Sequence, residues 1–296
     1  MMLPLLPLRL YELVTTMRTT DVDPTNEAQA QAWDGSEGAY WATHHEQFDA
    51  VLGHYGPAFE AACDIRGHDD VLDIGCGTGA TTRAAARAAR QGTALGVDLS
   101  SRMIGVAREI AARQGLANVR FQQADAQVHP FPPGRHDAVV SRTGAMFFGR
   151  PEQAFSNIGR AVRPGGRLTL LTWQPSARNP WFGAFAAALL GTVPTPPPHA
   201  PGPFSMSDPD VVTGLLEATG YRDVEITGLT GPTTYGRDVD HAHRFLLGLF
   251  GWMLANRPPE ERTPAAQALR DTLAAHAGPG GVQFDSATWL VTARRG

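Results

Sequence analysis

The chain has 296 residues, of which 43% are hydrophobic and 18% charged, and its formal net charge is −4 at pH 7. This composition is that of a globular protein long enough to bury a full core. All 25 basic residues are arginine, and in a net acidic chain they create no overall positive field, which argues against nucleic acid or an anionic membrane as partner. The two cysteines, Cys63 and Cys76, can form neither a disulfide framework nor a zinc site of their own, and we expect reduced thiols in a cytoplasmic protein.

The first residues are apolar but do not resemble a targeting signal. They contain no basic n-region and no small-residue cleavage site, and Pro4 and Pro7 break any helix. The segment is also too short to span a membrane. We therefore predict an N-terminal arm over residues 1–25 and a single domain over residues 26–296.

Hydrophobic periodicity predicts helix first and then an alternation of strands and helices. Residues 26–62 read as helical, because aromatic and aliphatic residues recur at spacings of three, four and seven. Strands separated by helices of about ten residues indicate βαβ units and a parallel sheet. The predicted strands are 71–74, 94–98, 119–122, 138–141 and 167–173, and the helices between them are 81–91, 102–114 and 152–162.

After Trp173 the alternation stops. Helices are predicted at 181–190, from Asp208 to Gly220, and over 238–277, and strands at 224–227 and 287–293.

The segment VLDIGCGTGATT, residues 71–82, carries the strongest functional signal. A strand ends in Gly75, Gly77 and Gly79, and a helix begins at once, so the backbone can approach a ligand and expose N–H groups at a positive helix end. The first two glycines and Ala80 also fit a dinucleotide fingerprint. Asp73 before the turn and the third glycine favour a different cofactor.

The motif D-x-G-x-G-x-G at 73–79, with Asp98 ending the second strand, Asp125-Ala126 after the third and RAVRPGGRL at 160–168, resembles the class I S-adenosylmethionine-dependent methyltransferases. The segments SRTGAMFF at 141–148 and ATWLVTARR are similar to a bacterial subgroup near the ubiquinone/menaquinone C-methyltransferases, in which Phe would replace Thr143. The resemblance implies a doubly wound α/β fold with a mostly parallel seven-stranded sheet whose final strand runs antiparallel. It also implies S-adenosyl-L-methionine as cofactor.

The resemblance and the strand-end positions together suggest how the adenosine would bind. Asp98 would accept both ribose hydroxyls, because a carboxylate at the end of the second strand reaches them. Asp125 would accept from the adenine amino group and the Ala126 N–H would serve a ring nitrogen. Leu99 and Met103 would sandwich the adenine.

The methionine end would lie against the backbone from Gly75 to Gly79, with Asp73 and the Ser141 carbonyl near its ammonium group. The expected cofactor-binding residues are Asp73, Gly75, Cys76, Gly77, Thr78, Gly79, Asp98, Leu99, Met103, Asp125, Ala126, Ser141 and Trp41.

The catalytic residues are less defined. Methyl transfer needs an acceptor in line with the sulfonium methyl and exclusion of water, and a base only where the acceptor must lose a proton. The candidates are Tyr40, His44, His45 and Arg142. His44 and His45 are adjacent on a helix, point about 100° apart and cannot both face the site. Arg142 follows the fourth strand, but pairing with a structural carboxylate is an alternative.

Three segments rich in Trp, Phe and Leu, residues 26–62, 174–207 and 232–283, are predicted to form a lid. They favour an apolar pocket and a small organic acceptor, such as a secondary metabolite or a quinone-like ring. His241-x-His243 lacks further metal ligands nearby, so we expect no metal.

Two alternatives stay open at this point. A NAD-dependent oxidoreductase would use the same glycines, although the chain has no Tyr-x-x-x-Lys pair and no lysine. A non-catalytic regulatory protein that binds S-adenosylmethionine would keep the same motif residues, because these report binding and not turnover.

Overall fold

A computed structural model describes residues 21–195, 200–255 and 257–296. Its strands are β1 Asp70–Ile74, β2 Thr93–Asp98, β3 Val119–Gln123, β4 His136–Arg142, β5 Val162–Trp173, β6 Tyr221–Gly236, β7 Ala277–Gly278 and β8 Gly281–Arg295. Over the described ranges these strands form one sheet in the order β3-β2-β1-β4-β5-β8-β6, and the two-residue β7 pairs with β8. β1 to β5 are parallel, whereas β8 runs antiparallel to both β5 and β6. The doubly wound, mostly parallel α/β sheet with an antiparallel final strand is therefore confirmed.

The helices cover the sheet and form a group beyond its end. Helices α5, α6 and α7 connect successive parallel strands, and the others precede β1 or follow β5. Their bounds are α1 Glu27–Trp33, α2 Ser36–Thr43, α3 His45–Val51, α4 Gly56–Cys63, α5 Ala80–Ala88, α6 Ser101–Arg113, α7 Pro151–Ala161, α8 Pro180–Leu190, α9 Pro209–Ala218, α10 Val239–Phe250, α11 Trp252–Ala255 and α12 Pro259–Ala274.

The central strand β1 shows why the sheet positions a polar group inside the protein. All side chains from Val71 to Ile74 are buried, because helices cover both faces of a parallel sheet. Three of the four are aliphatic and the remaining one is Asp73, so this carboxyl lies in the core next to the edge where the strands end.

Two parts of the chain differ from the predicted elements. The helical region 26–62 is not one helix, since it breaks at Gly35, at His44 and again at residues 53–55, which form a 3-10 turn. Strands β6 and β8 are much longer than the strands predicted at 224–227 and 287–293, and they pair with each other over most of their length. Gly231 and Pro232 within β6 suggest a turn, but β6 is the edge strand, where such residues are tolerated. Both ends of the predicted lid segment 232–283 are therefore strand.

The predicted N-terminal arm, residues 1–25, lies mostly outside the described residues, which begin at residue 21. Within its described part, Asp23 caps a 3-10 turn, Pro24–Asn26, that docks on the domain. Asp23 and Thr25 contact the loop after β3. Over the ranges described, no helix has the length and apolar character needed to cross a membrane.

Candidate active site

A cavity of about 380 Å³ lies at the carboxyl ends of β1, β2 and β4. Its wall contains residues that directly follow these strands, such as Gly75, Leu99 and Thr143. This edge is where open α/β sheets bind ligands. All the residues expected to bind the cofactor line the cavity except Gly79 and Ser141.

The glycine turn leads from β1 to α5 at the centre of this wall. Gly75, Gly77 and Gly79 have φ of +64°, +53° and +80°, in the left-handed region that favours glycine. A Cβ on Gly75 would lie 2.7 Å from the Cα of Gly144, so the turn after β1 and the loop after β4 are in direct backbone contact. The turn can take this path only with glycine at position 75.

Two carboxyl groups face the turn from inside the protein. The Thr82 hydroxyl donates to Asp73 at 2.6 Å, and burial raises the pKa of Asp73 to about 7. Asp98 accepts from the backbone N–H of Gly77 at 2.8 Å and of Ser100 at 2.8 Å, while burial raises its pKa. Hydrogen bonds at its other lone pairs remain possible for a ligand. The cavity therefore holds two acidic groups at its polar end.

The third acidic group, Asp125, is 1% exposed and contacts the N-terminal turn. It accepts hydrogen bonds from the Asp23 N–H at 3.0 Å and from the Asn26 amide at 2.8 Å. Asn26 lines the cavity beside it. Asn26 carries no signal in the sequence, because Asp-Pro-Thr-Asn is an ordinary turn and only the tertiary contact marks it.

Apolar side chains enclose the same end of the cavity. Leu99 and Met103 line it from the start of α6, and Trp41 lines it from α2. Trp41 stacks on Phe48 with ring centroids 3.5 Å apart and makes an edge contact with Trp33 at 5.6 Å. Trp33 also lines the cavity and was not expected from its sequence position alone.

Gly79 and Ser141 are the two expected residues that do not line the cavity. A Cβ on Gly79 would lie 2.5 Å from the ring of Phe121, so this glycine permits close packing of helix on sheet. The Ser141 hydroxyl donates to the Ile74 carbonyl at 2.7 Å and accepts from the Ala145 N–H at 3.0 Å. Ser141 is fully buried and braces β1 against the loop after β4, since its hydroxyl serves both segments.

The four catalytic candidates separate into two pairs. Tyr40 and His44 do not line the cavity, because they stack on each other at 4.0 Å and the Tyr40 hydroxyl donates to the Phe245 carbonyl at 2.8 Å. His45 and Arg142 do line it. The adjacent histidines thus face different directions, as their spacing predicts.

Arg142 has a carboxylate partner that the sequence does not reveal. Its guanidinium group donates to Asp49 on α3, and both side chains are partly exposed to the cavity. Asp49 lies one helical turn after His45 on the same face of α3. His45, Arg142 and Asp49 thus place three polar side chains on the cavity wall.

Most of the remaining cavity wall is aromatic and aliphatic, with Glu37, Thr81 and Thr143 as further polar members, and all three predicted lid segments contribute to it. Phe48 and Leu52 come from the first segment, Trp181 and Phe182 from the second, and Phe245 from the third. Further apolar wall residues are Val51, Met146, Phe147, Phe148, Trp173, Pro203, Tyr235, Leu249 and Phe250.

His241 and His243 have separate protein contacts. The first lies 3.3 Å from the Gln47 amide and the second 2.8 Å from the Ala266 carbonyl. Within the described part of the chain, no group of three His, Cys, Asp or Glu side chains is placed to hold a metal ion.

A doubly wound sheet with this glycine turn, strand-end carboxyl groups and adjacent apolar cavity defines the class I methyltransferase architecture. Residues 71–166 match the family described as Methyltransferase domain. The chain is 30% identical over 174 residues to the ubiquinone/menaquinone biosynthesis C-methyltransferase UbiE of Stutzerimonas stutzeri, over 54% of this chain and 68% of that protein. It is 32% identical over 197 residues to an uncharacterized protein of Mycobacterium tuberculosis, over 65% of this chain and 68% of that protein.

A solved structure shares the fold. YcgJ of Bacillus subtilis matches with a TM-score of 0.57 and 21% identity, over 82% of this chain and 98% of YcgJ. The chain belongs to the class I S-adenosylmethionine-dependent methyltransferases and is related to UbiE. It is a methyltransferase with S-adenosyl-L-methionine as its cofactor, which sets aside the NAD-dependent and non-catalytic alternatives.

Proposed function

We propose that this enzyme methylates a small, apolar or aromatic organic molecule. The observation that carries the proposal is the aromatic wall opposite the glycine turn, where Phe48, Trp181 and Phe245 line the cavity. A wall of this kind gains free energy from apolar and aromatic ligands, at about 25 cal/mol per Å² of apolar surface removed from water. The net charge of −4 gives no support to a nucleic-acid acceptor.

The polar end of the cavity fits the cofactor. Asp98 would hold the ribose hydroxyls, Asp125 and the Ala126 N–H the adenine edge, and Leu99 and Met103 its two faces. These assignments are supported by the position of all five residues on the cavity wall. When bound, the cofactor supplies an electrophilic methyl group on a sulfonium.

The methionine end of the cofactor would lie on the glycine turn beside Asp73, whose carboxyl faces the same cavity. The turn and the loop after β4 are in backbone contact, so an acceptor held near Arg142 would also lie near the methionine end.

The pair formed by Arg142 and Asp49 gives the acceptor side one polar anchor. The guanidinium group has N–H donors beyond the one bonded to Asp49, and the carboxylate has further acceptor positions. Together they would orient a hydroxyl or carbonyl group on an otherwise apolar acceptor, such as a secondary metabolite or a quinone-like ring. His45 is the adjacent group that could accept a proton. Both cysteines are buried free thiols, and we place the reaction in the cytoplasm.

The test uses S-adenosylmethionine labelled in the methyl group. The enzyme is incubated with an organic-solvent extract of the source organism, and separately with its total RNA and DNA. We expect label in the organic extract, and none with Gly75→Ala as the control that loses cofactor binding. Trp181→Ala should lower label transfer while leaving the cofactor Kd unchanged, because Trp181 lies on the acceptor side. Label in nucleic acid, with none in the extract, would overturn the proposed acceptor class.

A further inference from the structure

We propose that Asn26 is a positioning residue for cofactor recognition: it fixes the Asp125 carboxylate so that this group reads the adenine amino group. The turn formed by residues 23–26, which we call the strap, would then be the wall at the adenine end of the cavity. This inference rests on the proposed placement of adenine at Asp125.

The strap is attached to the domain by side chains as well as backbone. The Gln127 amide donates to the Thr25 hydroxyl at 3.0 Å, and the Gln153 amide donates to Asp23 at 3.3 Å. The Thr25 carbonyl also lies against Gly149, where a Cβ would approach it to 2.2 Å. These contacts hold the strap over the loop after β3 and the start of α7.

The nitrogen and the oxygen of the Asn26 amide both make hydrogen bonds, which fixes the orientation of the side chain. Its Nδ2 donates to Asp125 Oδ1 at 2.8 Å, and its Oδ1 accepts from the Gly149 N–H at 2.6 Å. The side chain is 1% exposed yet lines the cavity. A buried amide in this arrangement cannot exchange its two ends without losing both hydrogen bonds.

The hydrogen bonds that Asp125 accepts from the protein leave one lone pair of its carboxylate free for a ligand. Oδ1 accepts from Asn26 and from the Gln127 N–H at 2.9 Å, which uses both of its lone pairs. Oδ2 accepts from the Asp23 N–H at 3.0 Å and keeps one lone pair. Among the described residues the Ala126 N–H has no hydrogen-bond acceptor. One acceptor and one donor side by side match the amino group and ring nitrogen of adenine.

Calorimetry with two cofactor analogues tests the inference without an acceptor. S-adenosylhomocysteine carries the adenine amino group, and S-inosylhomocysteine has an oxygen in its place. The wild-type enzyme should prefer the adenine compound, since an oxygen opposite Asp125 donates no hydrogen bond to the free lone pair of Oδ2. In Asn26→Ala this preference should fall about tenfold, because the carboxylate is no longer held in one orientation.

Gly149→Ala is the second variant, because its Cβ would displace the strap at Thr25 while removing no polar group. This variant should also reduce the preference for S-adenosylhomocysteine over S-inosylhomocysteine, even if Asn26→Ala does not fold. Asn118→Ala is the matched control, because it also removes an amide that is hydrogen-bonded inside the protein. The Asn118 amide donates to the Ala86 and Ala89 carbonyls, and Asn118 does not line the cavity. It should lower Tm and leave the preference unchanged.

Three results would overturn the inference. Asn26→Ala and Gly149→Ala could both weaken the two compounds equally, which would indicate a purely structural role. The variants could instead bind S-adenosylhomocysteine more tightly, which would mean that the strap competes with adenine. Equal binding of both compounds by the wild type would show that Asp125 does not read the amino group. Binding of neither compound by the folded wild type would instead count against the proposed function.

Discussion

Binding of the cofactor should release a proton from Asp73. In the ligand-free protein, burial raises the pKa of this carboxyl to about 7, so near neutral pH it is partly protonated. The proposed position of the cofactor brings a positively charged ammonium group next to it. A nearby positive charge favours the ionised carboxylate, so the bound state should hold Asp73 without its proton.

The size of the pH effect on affinity follows from the fraction of the protein in which Asp73 is ionised and can therefore bind the ligand. With a pKa of about 7, Asp73 is ionised in about one molecule in ten at pH 6 and in about nine in ten at pH 8. Because the apparent Kd is the intrinsic Kd divided by the competent fraction, the affinity for S-adenosylhomocysteine should fall about tenfold from pH 8 to pH 6. At pH 6, binding should release close to one proton per ligand.

Isothermal titration calorimetry at pH 6 in two buffers of different ionisation enthalpy measures the proton count directly. Asp73→Asn should bind more weakly but with a Kd that no longer changes between pH 6 and pH 8. Burial also raises the pKa of Asp98, so the variant Asp98→Asn measures how much this second carboxyl contributes to the proton release. The larger part of the release should remain in this variant. A wild-type Kd that is constant over this pH range, with no buffer dependence of the heat, would refute the reasoning.

The same carboxyl should affect the free energy of unfolding with the opposite sign. Since the folded state binds the Asp73 proton more tightly than the unfolded chain, its contribution to stability is fully present below 3.8, the ordinary pKa of an aspartate side chain. It is lost as the pH rises toward 7. Urea unfolding of the ligand-free wild type, compared with Asp73→Asn, should show this loss.

The parallel part of the fold was predictable because its residues determine it locally. Strands β1, β2 and β4 contain short apolar runs, β3 alternates apolar and polar residues, and each helix between them has one apolar face, so periodicity located these elements to within three residues. The pairing of β6 with β8 was not predictable in its length. Its stabilisation comes from cross-strand contacts between residues 46 to 74 positions apart, and Pro232 and Gly231 locally indicate a turn.

The residues of the site also divide into those that the sequence identifies and those that only the structure identifies. Residues whose role depends on the backbone path, such as Gly75 and Gly77, can be identified from the sequence, because their positive φ values strongly favour glycine. Asn26 and Asp49 are identified by their partners, which are 99 and 93 positions away. For Ser141, the contact of its carbonyl with the cofactor stays a prediction, whereas the hydrogen bonds of its hydroxyl to two neighbouring segments are visible only in the structure.

Three substitutions test the site further. Asp98→Ala should cost about 1.5–3 kcal/mol of cofactor binding, ten- to a hundredfold in Kd by calorimetry, because charge-assisted hydrogen bonds are lost; a change below threefold would contradict its proposed role. Phe245→Ala should remove part of the acceptor wall, lower Tm and lower label transfer, since Phe245 is 2% exposed and lines the cavity. Gly75→Ala should abolish cofactor binding and lower Tm, because its Cβ would meet the Cα of Gly144 at 2.7 Å and neither backbone can yield without moving the turn or the loop after β4. Gly115→Ala is its matched control: the φ of +66° is nearly the same as the +64° of Gly75, but a Cβ there meets nothing within 4 Å. Both variants have the left-handed strain of about 1–2 kcal/mol, so this cost cancels in the comparison. What remains is the effect of the contact between the two loops, measured as the difference in Tm and in Kd for S-adenosylhomocysteine. If the two variants were equally stable and bound the ligand equally well, that contact would not shape the site.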